Sequence, residues 1–301
     1  MMCSYCDKPV FYRRRYSGEN LCKKHFIKSI EGKVRKNISR YLGKYKRIGL
    51  AVSGGKDSLV MAYIVNNLVK PGGPHIYGLI VDEGISGYRD KSIEFAKQLL
   101  DDLKIPYVIG AMKEYLYVNI DDVMEIADSP LPCTFCGVFR RRVLEILGRK
   151  NKIEVIFTGH NASDISETIL LNVLQGNIKH LIMQMEPNNG FIPRIYPLHN
   201  LIEQEIVLYA YLRKINYYDN PCPYARYALR SEVRNFLSDM EWRHPGITFN
   251  ILRLGEKLKI EYGRQLKLKA CSKCGYPTSS KICKTCELLE TLDKLKKLNI
   301  R

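Results

Sequence analysis

The sequence has no long uninterrupted apolar run. Its hydrophobic stretches are short and broken by charge, so nothing reads as a membrane-spanning helix. The opening residues, MMCSYCDK, lack the apolar region that a secretory signal needs, and the expected location is the cytoplasm. In that reducing setting ten cysteines point to metal ligation or catalysis rather than structural disulfides. Acidic residues are scarce at both ends. Residues 1–47 hold 14 Lys and Arg against 3 Asp and Glu, and residues 253–301 hold 13 against 5. Residues 48–252 hold 21 against 23, so the formal excess of +17 sits in the termini. Such ends suit a phosphate backbone and make nucleic acid the expected partner, although thiolate-bound metal would cancel part of the charge. With 301 residues, 46% of them apolar, the chain can build one sizeable core plus small appendages.

Each terminus carries a chelating pattern. Cys3 and Cys6 form CSYC, and Cys22 and His25 form CKKH. Two short pairs can close on one tetrahedral zinc ion. A segment this short cannot bury its own core, so metal would supply much of its folding energy. At the other end Cys271, Cys274, Cys283 and Cys286 form two CxxC pairs separated by eight residues. That spacing predicts a second structural zinc site, with a rubredoxin-like iron site as the minor alternative. Four protein ligands leave no open position, so neither module is expected to be catalytic. Arg13, Arg14 and Arg15 in the first module are candidate phosphate contacts. Tyr12 and Tyr16 beside them either stack on bases or pack against the module.

Between the modules, strand-like and helix-like segments alternate. RIGLAV, HIYGLIVD, IPYVIG and EVIFTG read as strands, with helices expected over 88–104, 137–149 and 165–176. The alternation predicts an α/β fold: an open, mostly parallel, twisted sheet with helices on both faces. Ligands of such sheets bind beyond the carboxyl ends of the strands. SGGKDS (53–58), VDEGI and TGHNASD all fall there. In SGGKDS the glycines let backbone amides face an anion at a helix start. The loop is not a Walker motif, which needs four residues between its first glycine and Gly-Lys-Ser/Thr. The expected division is a zinc module at 1–30, a basic linker helix at 31–46 and a nucleotide domain at 47–222. A helical region at 223–265 and a zinc module with a short helix at 266–301 follow. Arg226, Arg230 and Arg234 lie in that helical region, which either clamps RNA or packs the domain.

Three cysteines remain: Cys133 and Cys136 in CTFC, and Cys222 in NPCPYA. Spacing alone leaves two readings level. One is a redox relay with a persulfide and a resolving thiol. The other is an iron–sulfur cluster held by three thiolates, leaving one iron open. Arg140, Arg141 and Arg142 follow CTFC and are candidate contacts to RNA phosphates.

SGGKDS resembles the pyrophosphatase (PP) loop of enzymes that cleave ATP between the α and β phosphates. VDEGISGYRD continues the match, and GHNASDISET is close to the family form GHNxDDxxET. PLPCTFCGVFRR is similar to the family's central cysteine segment. With both cysteine-rich ends, essentially the whole chain resembles the archaeal and eukaryotic tRNA 2-thiouridine synthetases. CTFCGVFRR and CSKCGYPTSS…CKTCELLE resemble most the branch that thiolates the wobble uridine rather than the T-loop uridine. The resemblance implies that the C2 oxygen of a uridine is adenylated with ATP and then replaced by sulfur. It implies nucleotide binding by Ser53, Gly54, Gly55, Lys56, Asp57, Ser58, Asp82, Gly159 and His160. Asp57 and Asp164 are the implied Mg²⁺ carboxylates, and His160 has a phosphate-binding or structural role ahead of acid chemistry. Ser163 departs from the usual acidic pair. Cys133, Cys136 and Cys222 are implied ligands of a [4Fe-4S] cluster. The implied sulfur donor is a ubiquitin-like carrier or free sulfide, and the implied assembly is a homodimer.

Overall fold

The computed structural model describes residues 1–127, 132–178, 181, 190–225, 229–262 and 268–299. Arg226 lies outside them. The chain opens with two small hairpins, β1 (Met2–Cys3) with β2 (Cys6–Pro9), and β3 (Tyr12–Arg14) with β4 (Glu19–Leu21). From Cys22 it enters α1 (Lys23–Lys44) directly. Phe26, Ile30, Val34 and Ile38 recur every fourth residue on one face of α1 and are all fully buried. Burying side chains of this size is worth about 1.5–3 kcal/mol each. The helix expected as a linker at 31–46 is therefore a core helix that begins inside the zinc module.

The central sheet has five parallel strands in the order β7 (Tyr107–Ala111), β6 (His75–Asp82), β5 (Arg47–Ala51), β8 (Val155–Thr158), β9 (Arg194–Ile195). Side chains alternate between faces. Ile48, Leu50, Ile80 and Phe157 face α1, α2 (Lys56–Leu68), α3 (Arg89–Asp102) and α8 (Glu203–Arg213). Leu79, Val81 and Ile156 face α4 (Met112–Leu116), α5 (Ile120–Ala127) and α6 (Pro132–Lys150). Helices thus cover both faces. α7 (Ala162–Leu174) packs against α9 (Leu229–Arg243) and α10 (Ile247–Tyr262). The C-terminal module, with β10 (Lys269–Ala270) and β11 (Pro277–Thr278), ends in α11 (Lys284–Asn299). Leu288 and Leu292 of α11 bury against the second core layer. No described helix is long and apolar enough to cross a membrane.

Strand order reverses at β5, whose neighbours are β6 on one side and β8 on the other. The crevice at such a switch point is where doubly wound sheets bind ligands. Both the 53–58 loop and the 159–164 segment open into it.

Candidate active site and metal modules

The 53–58 loop turns at Gly54, which has φ +88°. A Cβ there would lie 1.8 Å from the Ser92 carbonyl oxygen, so only glycine fits. Gly55 caps α2, and a Cβ there would meet only Ser53 Oγ at 3.7 Å. The open space above Gly55 and the start of α2 suits a phosphate. Ser58 Oγ closes the turn: it accepts from Ser53 N at 3.0 Å and donates to Gly55 O at 2.9 Å. The second motif packs onto the first. At Gly159 a Cβ would sit 2.8 Å from Ser58 N and 2.9 Å from the Asp57 carbonyl carbon. Asn161 Nδ2 donates to Asp57 Oδ1 at 2.9 Å, while Asn161 and Asp164 form a reciprocal capping box on α7. The Asp164 carboxyl is pushed up to about 7, by burial and then by the Asp57 charge. A buried carboxyl beside a second carboxylate is a donor set suited to a divalent cation. Ser163 points elsewhere: its Oγ accepts from Glu203 N at 3.3 Å.

Lys56 lies 2.6 Å from Glu203 and 3.2 Å from Asp57, and these carboxylates hold it above the ordinary lysine range against the pull of burial. Asp82 ends β6 and takes the Gly84 amide at 2.8 Å, shaping the turn rather than reaching into the crevice alone. His160 bonds Thr158 Oγ1 at 2.8 Å, and its ring meets Tyr196 edge-on. Its ring is open to solvent yet recessed among protein atoms, as on the floor of a cleft. That recess, then Arg140, Arg230, Arg194 and Arg141, lowers its pKa to about 4.

Some side chains that shape the crevice lie within the quoted motifs, but their contacts are not legible in them. Arg89, 4% exposed, donates to Val81 O at 2.9 and 2.6 Å and to Ser53 O at 2.5 Å, and pairs with Glu83. It ties the end of β6 to the nucleotide loop. Asn161 lies within GHNASD, whereas Glu203, outside every quoted motif, is visible only once the chain is folded. Arg230 and Arg234 both pair with buried Glu167 on α7, so the region they occupy is at least partly domain packing.

Cys133 and Cys136 lie in the first turn of α6, which starts ahead of the helix expected at 137–149. The i, i+3 spacing puts both on one face. Cys133 is exposed, whereas Cys136 and Cys222 are half-buried and pack against the second core layer. Burial pushes the Cys136 thiol up to about 12, with Glu83, Cys222 and Cys133 adding and Arg140 opposing. The Cys222 segment is held on two sides. Tyr218 N donates to Gly54 O at 3.0 Å, and Tyr224 Oη donates to Asp121 at 2.9 Å. Asp121 also takes the Ser86 amide and hydroxyl at 2.9 and 2.7 Å. Unlike the terminal ligand sets, these three thiols are not gathered around a single-ion point. Cys133, Cys222 and Arg140 nevertheless lie near enough to act electrostatically on Cys136, and an iron–sulfur cluster is wider than a single ion, so the three thiols with a basic neighbour are a donor set of the right chemistry for one.

In the N-terminal module His25 Nδ1 lies 3.4 Å from Cys3 Sγ, 3.4 Å from Cys6 Sγ and 3.5 Å from Cys22 Sγ, with Cys6 and Cys22 3.8 Å apart. A tetrahedron with Zn–S of about 2.3 Å and Zn–N of about 2.0 Å has edges of about 3.5–3.8 Å. In the C-terminal module Cys274 and Cys283 are 3.6 Å apart and Cys271 and Cys286 4.0 Å. Both sets fit zinc.

The arginines divide. Arg14, expected to contact RNA, is 1% exposed. It bonds buried Glu205 at 2.7 Å, Glu19 at 2.8 Å and Ser29 at 2.8 Å. That expectation is corrected: Arg14 is a core ion-pair partner. Arg13 is exposed, and Arg15 lies over Trp242 with its guanidinium 4.9 Å from the ring centre. Arg142 stacks on Tyr276 of the C-terminal module at 3.9 Å. Arg140 and Arg141 are exposed and near enough to His160 to lower its pKa, and Arg140 also lies 3.7 Å from Glu83. Tyr12 packs edge-on against Phe26, and Tyr16 against Phe249 with its hydroxyl on Glu205, so both are packing residues.

A family model described as PP-loop domain matches residues 25–241. A zinc-ribbon model matches 269–296, and an N-terminal LIM domain model of 2-thiouridine synthetase TtuA matches 3–27. The chain is 37% identical to cytoplasmic tRNA 2-thiolation protein 1 of Danio rerio, over 100% of this chain and 91% of that one. It is 35% identical to a probable sulfurtransferase of Methanocaldococcus jannaschii, over 98% and 89%. Among solved structures, U34-tRNA thiolase NcsA of Methanococcus maripaludis with its [4Fe-4S] cluster matches with a TM-score of 0.86 at 34% identity, over 97% of this chain and 96% of that one.

Proposed function

The chain belongs to the PP-loop family of tRNA 2-thiolation proteins, and from that premise we propose that it is an ATP-dependent tRNA-uridine 2-sulfurtransferase acting at the wobble uridine. The observation that carries this reading is the contact between its two reactive parts. The Tyr218–Gly54 backbone bond sets the Cys222 segment against the nucleotide loop. An activated base and a sulfur source can therefore meet in one crevice.

A uridine C2 oxygen is a poor leaving group. In the proposed first step it bonds to the α phosphorus of ATP and pyrophosphate departs. The amides of 53–58 and the α2 N-terminus stabilise the charge that develops on the phosphates. Lys56 exchanges its Glu203 and Asp57 partners for phosphate oxygens. Asp57 and Asp164 would hold Mg²⁺, with Asn161 orienting Asp57. His160, neutral at neutral pH, donates or accepts a hydrogen bond without serving as an acid. In the second step sulfur bonds to C2 and AMP leaves with the original oxygen. Cys133, Cys136 and Cys222 would hold a [4Fe-4S] cluster, which when bound supplies an iron free to carry sulfide. Arg140 and Arg141 would receive the phosphates of an anticodon loop, whose bases are already unpaired. The terminal modules would each hold one Zn²⁺.

The sulfur donor is a ubiquitin-like carrier or free sulfide, and the setting is the cytoplasm, as in the relatives' name. A second copy of the chain would cover Val173, Leu174 and Ile178, which stand exposed at and beyond the end of α7.

Anaerobic protein with unmodified tRNA, Mg²⁺, ATP and sulfide tests the reading. One sulfur-for-oxygen exchange mapped to the wobble uridine is expected. Exchange in the T-loop would move the assignment to the sister branch, and untouched ATP with no exchange would overturn the activity.

A further inference from the structure

Outside the cleft lies a second recess of about 520 Å³, between the N-terminal module, α1 and α10. Lys33 and Lys36 enter it from α1, Phe249 and Arg253 from α10, and Tyr16 from the module. Among the described residues no carboxylate lines it. Lys33 pairs with one oxygen of buried Glu205 at 3.7 Å, while Arg14 and the Tyr16 hydroxyl share the other. Among the described residues Lys36 makes no ion pair, and Arg253 bonds the Asn250 side-chain oxygen rather than an acid. Lys33 shares Glu205 with Arg14, and Lys36 and Arg253 have no acidic partner among the described residues, so the recess is left net positive and attracts an anion. The half-buried Phe249 ring adds an apolar wall, its centre 4.7 Å from that of Tyr16. A volume within the range of about 300–1,000 Å³ typical of ligand pockets admits one nucleotide unit, phosphate on the cations and ribose or base against Phe249.

The recess is separate from the reactive crevice but rigidly joined to it. Lys33 donates to Asn200 O at 3.4 Å. The next residue, Leu201, accepts the amide of Ala162, the first residue of α7, at 2.8 Å. Glu203, two residues on, holds Lys56. A polymeric ligand fits better than a free nucleotide because Lys36 and Arg253 are exposed at the mouth, where a continuing backbone would run.

We propose that this recess grips one nucleotide of the tRNA substrate away from the reacting uridine, its phosphate on Lys33, Lys36 and Arg253. The proposal rests on the tRNA reading above. The test compares the wild-type holoprotein with K36E/R253E and with the milder K36Q/R253Q. Fluorescence anisotropy with labelled unmodified tRNA gives affinity across a salt series, and turnover at saturating tRNA gives the chemical step. Charge reversal is expected to weaken tRNA binding by roughly tenfold or more, and the Gln pair by less. The salt slope should fall by about one for each phosphate that the variant no longer neutralises. KM for ATP and turnover at saturating tRNA should stay at wild-type values. Unchanged tRNA affinity and salt slope in both variants, with wild type still thiolating tRNA, would overturn the proposal alone. Failure of wild type to bind tRNA would instead overturn the reading beneath it. AMP binding that depends on Lys36 and Arg253 while tRNA affinity does not would reassign the recess to a free nucleotide and also overturn the proposal.

Discussion

The Tyr218 amide donates to the Gly54 carbonyl at 3.0 Å, joining the turn of the nucleotide loop to the segment that delivers Cys222 four residues later. Neither residue needs its side chain for this bond. What matters is that Gly54 holds its left-handed conformation, and this separates the two glycines of the loop.

Gly54→Ala is expected to destabilise the fold by about 2–4 kcal/mol, because the added Cβ strikes the Ser92 carbonyl at a positive φ. Gly55→Ala has room and should leave the thermal midpoint nearly unchanged while weakening ATP binding. Calorimetric melts and ATP titration of both variants check the split.

Arg14→Met should destabilise by about 3–5 kcal/mol, since it strands the buried Glu205 carboxylate. Folded Arg14→Met is expected to bind tRNA as wild type does. Arg13→Glu should do the reverse, lowering tRNA affinity without lowering stability. Denaturant melts beside filter binding distinguish them.

His160 has a folded pKa near 4 against an ordinary value of 6.5. Between those values the unfolded chain holds a proton that the folded chain lacks. Stability from this group is therefore complete above about 6.5 and is lost as pH falls toward 4. His160→Gln should flatten that part of the stability profile. The ring's access to water makes the slope smaller than the shift alone implies. Turnover between pH 6 and 8 should show no limb that disappears in His160→Gln; such a limb would make His160 an acid.

Metal analysis should find two zinc ions per chain, one for each four-ligand group. Cys274→Ser should leave one. Loss of the C-terminal module unseats Leu288 and Leu292 from the layer that carries Cys136 and Cys222. Iron retention, read by visible absorption, should fall with the zinc although no cluster ligand has changed.

The order of strands and helices was legible because periodicity and turn residues are local. RIGLAV, HIYGLIVD, IPYVIG and EVIFTG each lie within a residue or two of an observed strand. Both zinc patterns were legible because chelating pairs must be close along the chain. SGGKDS declared itself through its glycines after a strand, and GHNASD through its place at a strand end and its resemblance to the family form. The cysteine pair was visible, but its helical setting was not: α6 begins at Pro132, earlier than the helical pattern starting at 137 indicates.

Tertiary structure alone decided which charges are free. Arg13, Arg14 and Arg15 are indistinguishable as a basic run, yet Arg14 closes on Glu205, 191 residues away. Arg142 finds Tyr276, Arg89 finds Ser53, and Lys36 and Arg253 find no acid at all among the described residues. A guanidinium's role depends on what lies within about 4 Å of it, and that is set by how distant segments pack. The sequence by itself determined the fold class, the PP-loop domain and the two terminal four-residue groups that could hold a metal, because backbone conformation and closely spaced chelating pairs act over a few residues. Folding determined which cations anchor the core and which keep no acidic partner among the described residues, because charge pairing acts through space.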